Sequence, residues 1–232
     1  MARNMESIEN TNVKFPDMGF YDMKNPGEMA LYIAHSDFYP FKSVIENNKI
    51  ATEVVSKAYF EMANEARENS DFQVEIYAMT SLTLQSSRVA IFTQYSLLLT
   101  MVSLFEEAMN VLCRTYKRVF LLNKDLKDIR GSGIERAAEY LKTEAKVKGI
   151  KNDSQWEYIT AIRDCRNMVV HNGGRIEREE DRKKCDKFNI GYREEDYKLY
   201  IEYSDIEKFY DAMLEFMDRT FRIESELSTE LL

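Results

Sequence analysis

The chain has 232 residues, 44% hydrophobic and 31% charged, with eight glycines, three prolines, two histidines and a net charge of −8. That length can bury a sizeable core, and the composition excludes a disordered chain. Glycine and proline together stand at about half their usual share, which argues against turn-rich β-sandwiches and glycine-dependent nucleotide folds and for a mainly α protein.

The acidic total argues against a wholly basic nucleic-acid binder but leaves room for a local basic patch. Cys113, Cys165 and Cys185 are widely spaced, and no C-x-x-C occurs. That pattern fits a reducing, cytoplasmic setting with neither a disulfide framework nor a zinc knuckle. The opening MARNMESIEN lacks the apolar core of a signal peptide.

Residues 1–42 read as a poorly periodic N-terminal arm. They hold Pro16, Pro26 and Pro40, with scattered aromatics such as Phe15, Phe38 and Phe41 that suggest packing on something. His35, within the arm, reads as an ordinary packing or surface histidine, because no ligand-spaced partner lies near it. A helical domain then covers 43–225, and 226–232 is an acidic tail.

Within the domain, Val44, Ile45, Ile50, Val54, Val55, Ala58 and Met62 recur at helical spacing and predict a helix over 43–69. A second long helix spans about 74–122, broken at most once, with Ala90, Tyr95, Leu98, Val102, Phe105, Met109 and Leu112 as its buried stripe. Its uncharged stretch, 89–105, is too short and too polar for a membrane span, which needs ~20 predominantly apolar residues, and reads as a buried central helix. Residues 123–133 form a polar connection. Ser132 and Glu135 have capping-box spacing at the head of a helix carrying Ile134, Ala138, Leu141 and Ala145, which stops near Gly149.

Ser154 and Glu157 open the next helix, with Trp156, Ile159, Ile162 and Val169 or Val170 on its apolar face and Asn172-Gly173-Gly174 as its stop. Residues 175–186 are highly charged and read as a mobile loop. Residues 197–203 alternate as a strand that 188–193 pairs with, making a small C-terminal β-hairpin. Ser204 and Glu207 cap a last helix carrying Ile206, Phe209, Tyr210, Met213, Phe216 and Met217.

The P-loop, dinucleotide-binding, nucleophile-elbow and H-E-x-x-H signatures are all missing, and His35 and His171 are too far apart to form a metal pair. No cofactor or metal is expected. One segment carries chemistry: Ile162-Arg163-Asp164-Cys165-Arg166-Asn167-Met168-Val169-Val170-His171-Asn172-Gly173. On a helix, Arg163, Asn167 and His171 share a face, with Arg166 beside them. Two guanidinium groups suit a phosphate, and an imidazole suits proton transfer near neutral pH. That set fits phosphodiester cleavage without a metal. A plain structural alternative stands beside it. A histidine in a last helical turn is favoured by the helix dipole alone, and the arginines can pair with Asp164 or nearby acids.

Arg166-Asn167-Met168-Val169-Val170-His171 resembles the signature of the HEPN superfamily: an arginine often followed by a polar residue, four intervening positions, then a histidine. The placement is similar too, toward the end of a late core helix of a helical bundle. The helix around Phe105, Glu106, Met109 and Leu112 resembles an earlier core helix of that family, and the likeness covers about residues 75–222. It implies a HEPN-like bundle and a metal-independent endoribonuclease, often a toxin or antiviral defence effector, in which a 2′-hydroxyl attacks the adjacent phosphate. By that resemblance His171 transfers the proton, Arg166 stabilises the phosphate charge, and Asn167 orients either. It also implies RNA as substrate, a homodimer with a composite site, and an antitoxin or defence-system partner. Arg163 and Glu106 are added as substrate-binding candidates by spacing alone. Where HEPN toxins paired with a nucleotidyltransferase carry a tyrosine two residues after the histidine, this chain has Gly173.

Two other readings compete. An inactive HEPN module or scaffold that binds RNA or a protein is favoured by the acidic total and by Glu177, Glu179, Glu180 and Asp181. A small-molecule-binding bundle rests only on the large apolar core.

Overall fold

Asn25 sets the start of the first helix. Its side chain accepts the Gly27 amide at 2.8 Å, Pro26 occupies the first turn, where its missing N–H is not needed, and α1 runs Pro26–Glu68. The computed structural model describes residues 25–151, 154–223 and 227, so residues 1–24 and all of the predicted acidic tail except Leu227 lie outside it.

The arm expected over 1–42 is therefore corrected from Pro26 onward, because 26–42 are the opening turns of a 43-residue helix. Ala30, Leu31, Ala34, Phe38, Phe41 and Ile45 are buried at helical spacing. Their burial outweighs the helix-breaking tendency of Pro40, which loses one backbone bond inside α1. His35 is a packing histidine. It is 1% exposed, with Nε2 3.2 Å from Asp218 and its ring against Tyr39. Of the apolar residues that predicted a helix over 43–69, only Ile45 enters the core.

After a short turn, α2 (Phe72–Leu84), a π-helical turn (Gln85–Val89) and α3 (Ala90–Val119) form one continuous rod. The π-turn is the single break the sequence allowed. Ser86 and Ser87 both donate to the Thr83 carbonyl there, a competition with the helical ladder that suits a widened turn. By length and composition Phe72–Val119 is apolar enough to cross a bilayer, but α3 spends its apolar stripe inside the protein. Leu98, Val102, Phe105, Met109 and Leu112 are all buried.

Four helices surround α3: α1, α4 (Gly133–Thr143), α5 (Ser154–Asn172) and α7 (Tyr203–Phe221). Aromatic contacts close the centre. Phe216 of α7 meets Phe105 of α3 at 5.8 Å and Trp156 of α5 at 5.5 Å, while Phe38 of α1 stacks on Tyr210 at 4.9 Å. The architecture is a mainly α helical bundle with a two-stranded antiparallel hairpin, β1 (Tyr192–Arg193) and β2 (Lys198–Leu199), in which Tyr192 pairs with Leu199.

Three local expectations change. Residues 175–186 are not a mobile loop, since Glu179–Phe188 forms α6. Its charges are spaced to pair along the helix, Glu179 with Arg182 and Lys183, and it buries Asp181 and Cys185 against the bundle. Phe188 belongs to α6, so the hairpin strands are shorter than predicted. The last helix starts at Tyr203, with Glu202 and Asp205 forming the capping box in place of Ser204 and Glu207.

Gly174 joins three elements. Its N–H donates to the Met168 carbonyl at 3.0 Å, closing the end of α5, and its own carbonyl accepts the Leu199 amide at 2.9 Å. The Tyr95 hydroxyl of α3 presses on it and donates to the Leu199 carbonyl at 2.8 Å. Burial pushes the Tyr95 phenol up to about 12, so it remains a donor at neutral pH. A β-carbon on Gly174 would lie 2.2 Å from that hydroxyl, and the residue has φ +87°. Gly173 has φ +59° but open space around it. Gly174→Ala is therefore expected to destabilise the fold by about 2–4 kcal/mol, from left-handed strain plus overpacking, and Gly173→Ala by about 1–2 kcal/mol, from strain alone. Urea unfolding of the two variants checks the difference.

Candidate active site

Helix α5 turns Trp156, Ile159, Ile162, Cys165 and Met168 inward, a three-residue repeat that leaves Arg163, Asp164, Arg166 and Asn167 half-buried on its flanks. Val170 and His171 in the last turn are exposed. The glycines that follow accept left-handed angles, and this ends the helix with His171 outward.

Two clefts flank this helix. The larger, about 460 Å³, is lined by Glu106 of α3, Gly133 and Glu135 of α4, and Arg163, Arg166 and Asn167 of α5. The smaller, about 160 Å³, holds His171 with Asn167, Asp164, Glu177, Arg178 and Asp181. Asn167 lines both. Arg166 and His171 are five residues apart and so diverge around the helix by about 140°. Thus the structure gathers four of the five predicted residues in one cleft and sets His171 in the next, with Asn167 shared.

The two arginines differ. Arg163 is engaged: Nη1 donates to Glu135 at 2.9 Å, while Nε and Nη2 both donate to Asp164, at 3.0 and 2.7 Å. Arg163 therefore ties α4 to α5, a different task from the phosphate binding expected of it. Arg166 forms no ion pair among the described residues, and its bond is Nη1 to the Asn167 amide oxygen at 3.1 Å. That bond turns the guanidinium while leaving donors for a bidentate oxyanion.

Glu106 also has a structural task. Its carboxylate lies over the start of α4, where a β-carbon on Gly133 would meet it at 3.3 Å. A negative group is favoured at that positive helix end and repels a phosphate. Glu135, expected to complete a capping box with Ser132, reaches Arg163 instead, and the Ser132 side chain makes no capping bond.

The sequence reading missed the rim supplied by α6. Arg178 grips the buried Asp181 with two bonds, at 2.7 and 3.0 Å, and Lys184 donates to Asp164. Arg178 and Asp181 sit three residues apart, the spacing of a helical ion pair, and this was the available signal. Comparison with family models, with curated proteins and with solved structures found no match. The resemblance to the HEPN signature thus rests on residues 166–171 and their setting.

Arg163→Ala should lower stability by about 1–3 kcal/mol, since it strips a half-buried carboxylate pair of its shared cation, whereas Arg166→Ala should change it by about 0.5 kcal/mol or less. Equal losses in urea unfolding would contradict this division of labour.

Proposed function

We propose that the protein is a metal-independent endoribonuclease of the HEPN type. The observation that carries this reading is the pair at the end of α5: an Arg166 guanidinium without a carboxylate partner among the described residues, oriented by Asn167, and an exposed His171 one cleft away. Arg166 binds the scissile phosphate and stabilises the charge that builds on it. The 2′-hydroxyl oxygen attacks phosphorus and the bond to the 5′-oxygen breaks, leaving a 2′,3′-cyclic phosphate and a 5′-hydroxyl. One proton leaves the 2′-hydroxyl and one joins the 5′-oxygen, so the net proton count is unchanged. His171 is the group for such a transfer.

A single histidine serves poorly as both base and acid. A homodimer that brings two α5 ends together supplies the second imidazole, and it sets the Arg166 of one copy near the His171 of the other. The proposal includes a cytoplasmic setting and a role as a toxin or antiviral defence effector with an antitoxin or defence-system partner. It does not extend to a tyrosine-modifying partner, because position 173 is a glycine at φ +59°, a conformation that strains a tyrosine.

A second reading has its own support. Three carboxylates, Asp164, Glu177 and Asp181, line the His171 cleft, and such a field disfavours RNA. It favours an inactive HEPN module that docks a protein, or one that binds RNA away from this cleft without cutting it.

The deciding experiment digests RNA in the presence of EDTA. Wild type should cut and leave cyclic phosphate ends, and His171→Ala and Arg166→Ala should each lose roughly 100-fold or more in rate while staying folded. RNA cleavage that survives in both variants would remove the assignment. Binding without cleavage, indifferent to His171→Ala, would establish the second reading.

A further inference from the structure

Toward its C-terminal end, α1 packs against α2 and the π-turn that follows it. The contact between these two helices is built from small residues: Ala63, Ala66 and Ala78 are the buried ones. The large apolar residues of the hairpin therefore point away from the contact. Between Ile50 and Leu84, eleven of them are 38–71% exposed. They are ordered in stripes. Ile50, Val54, Ala58 and Met62 recur every four residues on α1, and Phe72, Ile76 and Met79 follow i, i+4, i+7 on α2.

With aromatics offering ~150–250 Å² each, side chains of this size at half exposure present on the order of 1,000 Å² of apolar surface, above the roughly 300–600 Å² of the largest patch on a typical monomer. The amount also exceeds the ~800 Å² that each partner brings to a standard interface.

Charge narrows the occupant. From Ile50 to Leu84 the hairpin carries six acids and two bases, Lys57 and Arg67. An anionic membrane surface or a nucleic acid is repelled by that balance, and an interfacial membrane helix is normally rich in lysine and arginine. A second copy of the same hairpin carries the same acidic balance, and what selects it is apolar area. It offers equal apolar area, and two antiparallel hairpins stack as a four-helix bundle, the arrangement that buries such stripes. The apolar surface continues through the π-turn to Val89 and Phe92, one helical turn before the Tyr95 that holds the end of α5.

We infer that the α1–α2 hairpin is a self-association surface, through which two copies of this chain form a two-fold symmetric four-helix bundle. The inference stands on the exposed hairpin and holds whether or not the chain cleaves RNA.

Sedimentation of the full chain at micromolar concentration tests it, with Val54→Glu and Ile76→Glu as variants. Both positions are exposed, so each variant should keep the helical circular dichroism of wild type. Wild type should sediment with the mass of two chains, and each variant should weaken dimerisation by roughly 100-fold or more, leaving monomer. A monomeric wild type overturns the inference, whether it stays in solution or is pulled down by phosphatidylcholine–phosphatidylserine vesicles. A dimer that both variants leave intact overturns it as well.

Discussion

The hydroxyl of Tyr95 is the constraint on which the end of α5 depends. It donates to Leu199 across a position that tolerates no β-carbon, and the same glycine closes α5 and pairs with β2. Each part needs the others. Without Gly174 the hydroxyl has no room, and without the hydroxyl a buried carbonyl loses its donor. The result is a helix that stops one turn after it leaves the core, with Val170 and His171 in solvent and Met168 still buried. A fold that held α5 only by its apolar face would leave its last turn free to fray.

Upstream of that turn, charge decides which groups are available. Asp164 and Glu135 fix Arg163 between α4 and α5, so this arginine anchors the helix that carries the site. Arg166 escapes the same fate because its neighbour is an amide. Asn167 accepts a hydrogen bond without neutralising the guanidinium, and a carboxylate there would have done both. The arrangement separates one arginine held in ion pairs from one without a carboxylate partner among the described residues, within a single helical turn.

Much of this was legible in the sequence, for reasons that can be named. The α3 stripe from Ala90 to Leu112, the α7 face from Ile206 to Met217 and the glycine stop of α5 follow helical period and left-handed backbone rules, which are local. What failed depended on partners far along the chain. Pro40 looked like a break because the burial of Phe38 and Phe41 against other helices is invisible locally. The 175–186 run looked like a loop because its charges pair along a helix that exists only when Asp181 and Cys185 are buried. Conversely, the spacing of Val54 and Met62 marks a helix but leaves both exposed, because period says where a residue points and nothing about what it meets. At the candidate site, the motif points to both arginines alike, and the ion pairs that separate Arg163 from Arg166 come from Glu135 of α4 and Asp164 of α5.

The two histidines allow a direct measurement. In a protein labelled with nitrogen-15 at histidine, only His35 and His171 give ring signals, and His35 is buried against Asp218, away from the α5 clefts. Titration with an oligoribonucleotide whose 2′-hydroxyls are blocked, so that it cannot be cut, should shift the His171 signals and leave those of His35 in place. The shift should vanish in Arg166→Ala, which keeps the fold but loses the phosphate anchor. His171 signals that stay unmoved at saturating RNA, or a shift that persists in Arg166→Ala, would contradict a phosphate site at the end of α5.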